Sequence, residues 1–285
     1  MKARGAGERA IERGLVLVAS SSIAILFIIT FFIFKEGLPF LIEIGPARML
    51  GGVDWAPTRG HYGLLPMIVG SLLVTGGALL LGVPLALSCA IYLVEFSKPR
   101  VRRILKPAIE LLAGIPSVVY GFLGVVFLVP LIRDHLGGPG LSLLAGAIIL
   151  GIMILPTVIS ISMDALEAVP RTYREGSLAL GATTTQTVNM VVLRAARSGI
   201  VTAVILGMGR AIGETMAVIM VTGNALDLPR SPLDPVRTLT SNIALELGYA
   251  AGNHQKALFA TGVILFVMIM ILNLAATFSS RRRSR

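Results

Sequence analysis

Apolar and polar stretches alternate six times along the 285 residues. The apolar ones cover residues 14–34, 62–96, 107–132, 141–163, 199–222 and 257–278. Each is long enough to cross a bilayer as a helix, which takes about 20 apolar residues, and none alternates as a barrel strand does. Only helices and closed barrels satisfy the backbone in lipid, so the pattern predicts an all-α polytopic membrane bundle. Six transmembrane helices would then form one domain over residues 1–285, with the longest inner polar segment at 164–198. The first stretch follows a basic segment and ends at Lys35 and Glu36. It is too long for a signal-peptide core and no small-x-small cleavage site follows it, so it reads as an uncleaved anchor.

Breaks within the stretches refine the pattern. Residues 62–96 are too many for one upright crossing, and Pro66, Pro84 and the Gly76–Gly77 pair offer places to bend. Pro116 and Pro156 fall inside the third and fourth stretches. A proline there frees a carbonyl that must be satisfied locally or line a cavity. Ser117 and Tyr120 place hydroxyls beside Pro116, available for bonds between helices or for a solute. Glu110 follows Lys106 by four residues and is expected to pair with it. Trp55, in the loop before the second stretch, is expected at the membrane interface.

Composition agrees with a membrane chain: 55% of residues are hydrophobic, 14% are charged and the mean hydropathy is +0.84. The net charge of +10 raises the question of nucleic acid. Placement answers it, since 17 Lys and Arg fall in segments 1–13, 98–106, 171–197 and 281–285, against 7 in the intervening outer loops. That asymmetry obeys the positive-inside rule and predicts a multi-pass membrane protein with six spans and both termini cytoplasmic. Basicity is then a topology signal, and no nucleic-acid partner is expected. Cys89 is the single cysteine, and His61, His135 and His254 lie in separate loops, so neither a metal site nor a catalytic triad is legible. The chain has no Gly-Lys dipeptide and therefore no Walker A loop, which excludes nucleotide hydrolysis by this subunit.

The stretch 199–222 carries Arg210 and Glu214 near its middle. A charge at the centre of a span costs roughly 2.5 to 3.5 kcal/mol on insertion scales, so it should face protein, a partner charge or a watery path. A spacing of four puts both on one helical face. Gly207 with Ala211 and Gly209 with Gly213 let neighbouring helices approach. Two readings stand: a structural ion pair that fixes register, or a solute route. In the second, the Arg210 guanidinium grips an oxyanion through its planar donor fork and Glu214 holds Arg210 in place.

The inner segment 164–198 reads DALEAVPRTYREGSLALGATTTQTVNMVVLRAARS. Pro170 is expected to start a short helix through Leu180 that Gly181 ends in a left-handed cap. Tyr173, Ser177 and Leu180 would share a face offered to the cytosol, a ridge in need of a partner. The run REGSLALGA, Arg174 to Ala182, lies about thirty residues before the embedded RxxxE and resembles the coupling loop of ABC importer permeases. KEGLPFL, YGLLPMIVGSLLVT, RRILKPAIELLAGIPSVVYGF and LGMGRAIGETMAV resemble, over nearly the whole chain, the PstC-type permeases of bacterial phosphate importers. Arg194 stands where a proline is usual, and Thr184 and Thr185 replace a basic-aromatic pair.

The resemblance implies a type I ABC importer permease fold. It implies a coupling role for Arg174, Glu175, Gly176, Ser177, Gly181 and Ala182, and a substrate pathway past Arg210 and Glu214, with Ser117 and Tyr120 as further candidates. It also implies partners: a sibling permease of the PstA type, ATPase subunits of the PstB type that bind ATP and magnesium, an extracytoplasmic phosphate-binding protein of the PstS type, and membrane lipid. No cofactor is expected in this chain. The alternatives are a permease for sulfate or molybdate, the sibling PstA-type subunit, a membrane enzyme acting on lipid-linked phosphates and a passive channel.

Overall fold

The computed structural model of the chain describes residues 6–282. Lys2, Arg4, Arg283 and Arg285, which enter the predicted charge asymmetry, lie outside the described residues. Helix α1 (Ala6–Ile44) leads to α2 (Pro46–Gly51) and an antiparallel hairpin of β1 (Trp55–Ala56) and β2 (His61–Tyr62), in which Trp55 pairs with Tyr62. Next comes α3 (Leu65–Ile91), which ends in a π-helical turn, Tyr92–Phe96, and then α4 (Pro99–Ala113). The following crossing is composite: α5 (Ser117–Leu123), a π-helical stretch Gly124–Leu128 and α6 (Val129–Leu136). Helix α7 (Leu143–Glu167) leads to α8 (Arg171–Ala179), α9 (Thr184–Thr187), a π-helical stretch Val188–Val192 and α10 (Leu193–Ala195). The chain then forms α11 (Arg197–Ile212), α12 (Met216–Val221), α13 (Leu239–Glu246) and α14 (Asn253–Arg282).

Five helical stretches are each long and apolar enough to cross a membrane: Ile11–Ile44, Leu65–Phe96, Ser117–Leu136, Leu143–Glu167 and Asn253–Phe278. Thr184–Ala195 with Arg197–Ile212, bent by 70°, supply a sixth if the pair counts as one span. The all-α bundle stands, but several predicted boundaries do not. Pro66 occupies the first turn of α3, where its missing N–H costs nothing, so it makes no bend, while Pro84 is carried inside the helix. The third crossing begins at Ser117 and not at 107. Pro107 lies in α4, whose apolar side chains share a face between Arg100, Arg102, Arg103 and Lys106 and none of whose residues is buried. Pro116 caps α5 with extended backbone (φ −57°, ψ 138°), so it marks the start of a helix and kinks none. Lys106 pairs with Asp164 at 3.5 Å, not with Glu110, and Arg102 pairs with Glu167.

The main core is the α3–α7 contact. Its seam is made of small residues: a Cβ added at Gly77 would stand 2.7 Å from the Ala147 Cβ, and one at Gly82 would stand 2.7 Å from the Gly151 carbonyl oxygen. Backbones that close bury Val74, Ala78, Leu150, Met153 and Ile154 between them. A second core, at the end of the bundle that carries the β1–β2 hairpin, gathers Phe40, Met49, Trp55, Tyr62, Met67 and Leu258. Trp55 is therefore no interfacial ring: it is 5% exposed and donates Nε1–H to Glu246 at 2.9 Å. The last third of α1 packs on α14, where Phe32 and Phe34 meet Phe259 and Phe266 edge to face. The most apolar stretch of α1 buries none of its residues in this chain.

Candidate functional site

The predicted fifth span is not one helix. α11 stops at Ile212, the backbone unwinds over Gly213–Thr215, and α12 starts at Met216. Arg210 occupies the last turn of α11, where the partial negative charge of a helix C-terminus favours a cation. Its Nη1 donates to Thr157 Oγ1 of α7 at 3.4 Å. Glu214 lies beyond the break, and its Oε1 accepts the Ala217 N–H at 3.1 Å, as an acidic cap on α12. The expected shared face for Arg210 and Glu214 is thus lost, and each side chain binds a different partner. The reason is local: Gly213 ends the helix, and a carboxylate next to a new helix start finds free N–H groups there. The Glu214 carbonyl in turn accepts from Thr240 Oγ1 of α13 at 2.9 Å.

Unwound backbone at membrane depth is tolerated where protein buries it or where it lines a cavity, and broken helices are a recurrent way to build a solute site. Around this break the neighbours come close. A Cβ at Gly121 of α5 would stand 3.0 Å from the Ala217 Cα, and one at Gly207 would stand 2.7 Å from Val158 of α7. Arg210 is half-buried, and Tyr120 of α5 carries a buried hydroxyl. That hydroxyl is committed, however: it donates to the Leu112 carbonyl at 2.9 Å and ties α5 to the end of α4. Tyr120 is 8% exposed, which fits a bond within the chain. Ser117, partly buried, opens α5 beside it.

Beyond the end of α7, α8 forms as expected after Pro170, and Gly181 adopts a positive φ of 85°. Tyr173 is 53% and Leu180 91% exposed, so an apolar ridge does face outward. Ser177 does not belong to it, because its Oγ is bonded to Thr187 Oγ1 at 2.9 Å. Glu175 and Gly176 are exposed on α8, and Ala182 is partly buried just after the cap. Arg174 turns inward: Nη2 meets Glu95 Oε1 at 2.6 Å and the Leu166 carbonyl at 2.9 Å, and Nη1 meets the Val169 carbonyl at 2.8 Å.

The end opposite α8 holds a cluster that sequence reasoning missed. Glu246 receives Trp55 Nε1–H at 2.9 Å, Arg237 Nη1–H at 2.7 Å and His254 Nε2 at 2.8 Å. Arg237 also donates to the Asn224 carbonyl at 3.0 Å and to Asn242 Oδ1 at 3.1 Å. These residues come from β1, the segment before α13, α13 itself and the start of α14, up to 191 positions apart, and no local spacing announces them.

Residues 82–285 match the family described as "Binding-protein-dependent transport system inner membrane component". The chain is similar to the probable ABC transporter permease protein YqgH of Bacillus subtilis, 44% identical over 276 residues covering 94% of this chain and 88% of the relative. It is similar to the phosphate transport system permease protein PstC of Haemophilus influenzae, 37% identical over 242 residues and 77% of each chain. Among solved structures, a bacterial ABC transporter involved in the import of the acidic polysaccharide alginate aligns with a TM-score of 0.64, 18% identity, 97% of this chain and 99% of that one. The inward-facing MetNI methionine ABC transporter aligns with a TM-score of 0.63, 20% identity, 81% of this chain and 100% of that one. At such identities the structural likeness is one of fold. The likeness in sequence runs along most of both chains, and the chain belongs to the binding-protein-dependent transport system inner membrane components, among them to the PstC-type permeases.

Proposed function

We propose that this chain is a membrane-spanning permease subunit of an ATP-driven phosphate importer and forms half of the translocation pathway. The observation that carries the reading is the similarity, along 77% of both chains, to a permease named for phosphate transport. The chemistry on the page supports it. A guanidinium at the end of a broken span offers a planar fork of donors to an oxyanion, and the backbone beside it is unwound over Gly213–Thr215. Glu214, capped onto α12, is the shaping element of that break and does not compete for Arg210. The contact to phosphate has to be weak enough for release, as alternating access requires.

The rest of the assembly follows from the family and is part of the proposal. A PstA-type sibling completes the pathway, a PstS-type protein delivers phosphate at the end that carries the Trp55–Glu246 cluster, and PstB-type subunits bind ATP and magnesium. Glu175, Gly176 and the Tyr173–Leu180 ridge are the docking surface for that ATPase, with Gly181 and Ala182 closing it. Both termini are cytoplasmic. The chain itself needs no cofactor. The test is to purify the tagged chain from membranes and identify what remains bound, then measure ATP hydrolysis with and without phosphate-loaded binding protein. The expected result is a complex with ATPase subunits whose hydrolysis rises with loaded binding protein. A chain that purifies free of any ATPase contradicts the reading, and stimulation by sulfate or molybdate but not phosphate reassigns the substrate.

A further inference from the structure

The side chain that links α8 to the membrane helices is Arg174, and its bonding is out of the ordinary for a residue beside an exposed ridge. One guanidinium joins three elements. Nη2 and Nε grip the two oxygens of Glu95, at 2.6 and 3.3 Å, on the π-helical turn that ends α3. Nη2 also bonds the Leu166 carbonyl in the last turn of α7, at 2.9 Å, and Nη1 bonds the Val169 carbonyl just beyond that helix, at 2.8 Å. A cation on carbonyls at and just after a helix C-terminus is favourably placed, and here it also holds α8 against the end of α7. The Glu95 side chain is 8% exposed and that of Arg174 22%, so water competes little for the pair. Lysine could not replace this set, because a point charge lacks the planar fork that serves a carboxylate and two carbonyls together.

The bond is placed to pass a displacement on. α3 and α7 are the most extensively packed helices of the chain and meet through a glycine seam that leaves no slack. α7 carries Thr157, which holds Arg210. A push on α8 therefore reaches the guanidinium of the proposed pathway through Arg174, α7 and Thr157, a contiguous set of contacts.

We infer that Glu95 and Arg174 form a strut that transmits the movement of the ATPase-docking helix to the α3–α7 pair, and that Arg174 is a positioning residue and not an ATPase contact. This rests on the proposed importer function. The test uses the whole complex in proteoliposomes, comparing wild type with Glu95→Gln and Arg174→Lys. Three quantities are read: ATPase subunits retained per permease, ATP hydrolysed, and phosphate taken up per ATP. Glu95→Gln is the mild variant, since it keeps the shape and leaves the two carbonyl bonds of Arg174. The strut predicts full retention of ATPase subunits, continued hydrolysis and an uptake per ATP reduced about tenfold in both variants. Unchanged uptake per ATP in an intact complex overturns it. Loss of ATPase subunits from Glu95→Gln also overturns it, because the pair would then shape the docking surface and not carry its motion. If the wild-type complex itself shows no ATPase or no phosphate uptake, it is the importer reading that fails.

Discussion

Individual side chains divide here into those whose importance can be read locally and those whose partners are remote. Arg210 announces itself, because a guanidinium inside an apolar run has few reasons to exist. The role of Glu214 does not: GRAIGETM contains no proline, and Gly213, which ends α11, reads in sequence as one more small residue of a packed span, so the unwinding that turns the carboxylate into a cap on α12 is not singled out. Arg174 was legible as a member of the coupling run but not as an inward anchor, since its partner Glu95 lies 79 residues away. Glu246 is the clearest case of a remote constellation, with one buried carboxylate serving a Trp, an Arg and a His. Glu246→Ala would leave Arg237 with its charge buried and no carboxylate. Removing one member of a buried pair costs about 3 to 5 kcal/mol. Thermal unfolding of the detergent-solubilised complex should therefore show a large drop in midpoint for Glu246→Ala and a smaller one for Glu246→Gln. Equal midpoints for wild type and the alanine variant would contradict the buried network.

Helices are the scale at which composition predicts existence better than boundaries. Apolar runs long enough to span located the five helices able to cross a membrane, yet α4 shifted the third by ten residues because an amphipathic helix and the start of a span are equally apolar when counted without regard to face. Helix α3 runs on through Pro84 and packs along α7. The glycine seam gives this scale its prediction. Gly76 and Gly77 are neighbours in sequence, but a Cβ at Gly76 meets nothing within 4 Å while one at Gly77 stands 2.7 Å from Ala147. Replacing a mid-helix glycine by alanine gains roughly 0.5 to 1 kcal/mol where there is space, and overpacking costs about 1 to 3 kcal/mol. Gly76→Ala should leave the unfolding midpoint of the complex equal or higher, and Gly77→Ala should lower it. The reverse order would mean that α3 and α7 do not meet through this face.

For the whole molecule, the two ends of the bundle differ in kind. One end holds the Glu246 cluster and the second hydrophobic core, whereas the opposite end presents α8 and a cavity of about 480 Å³ lined by Glu95, Arg102, Arg174 and Glu175 among others. Residues 11–29 of α1 and the ridge of Tyr173 and Leu180 are apolar surfaces that this chain leaves exposed. The span count and the family resemblance were accessible from sequence because hydropathy and local motifs carry them. The Glu246 cluster and the α3–α7–α8 junction were not, because they join polar segments that looked like plain loops. The central claim, that an anion passes beside Arg210 with ATP as the driving force, is tested most directly by uptake of labelled phosphate into proteoliposomes holding the complete complex. Wild-type complex supplied with ATP and loaded binding protein should accumulate phosphate, and an equally assembled Arg210→Gln complex should lose at least about tenfold of that rate, the loss of a charge-assisted contact worth 1.4 kcal/mol or more. Undiminished uptake by the Arg210→Gln complex would contradict the account.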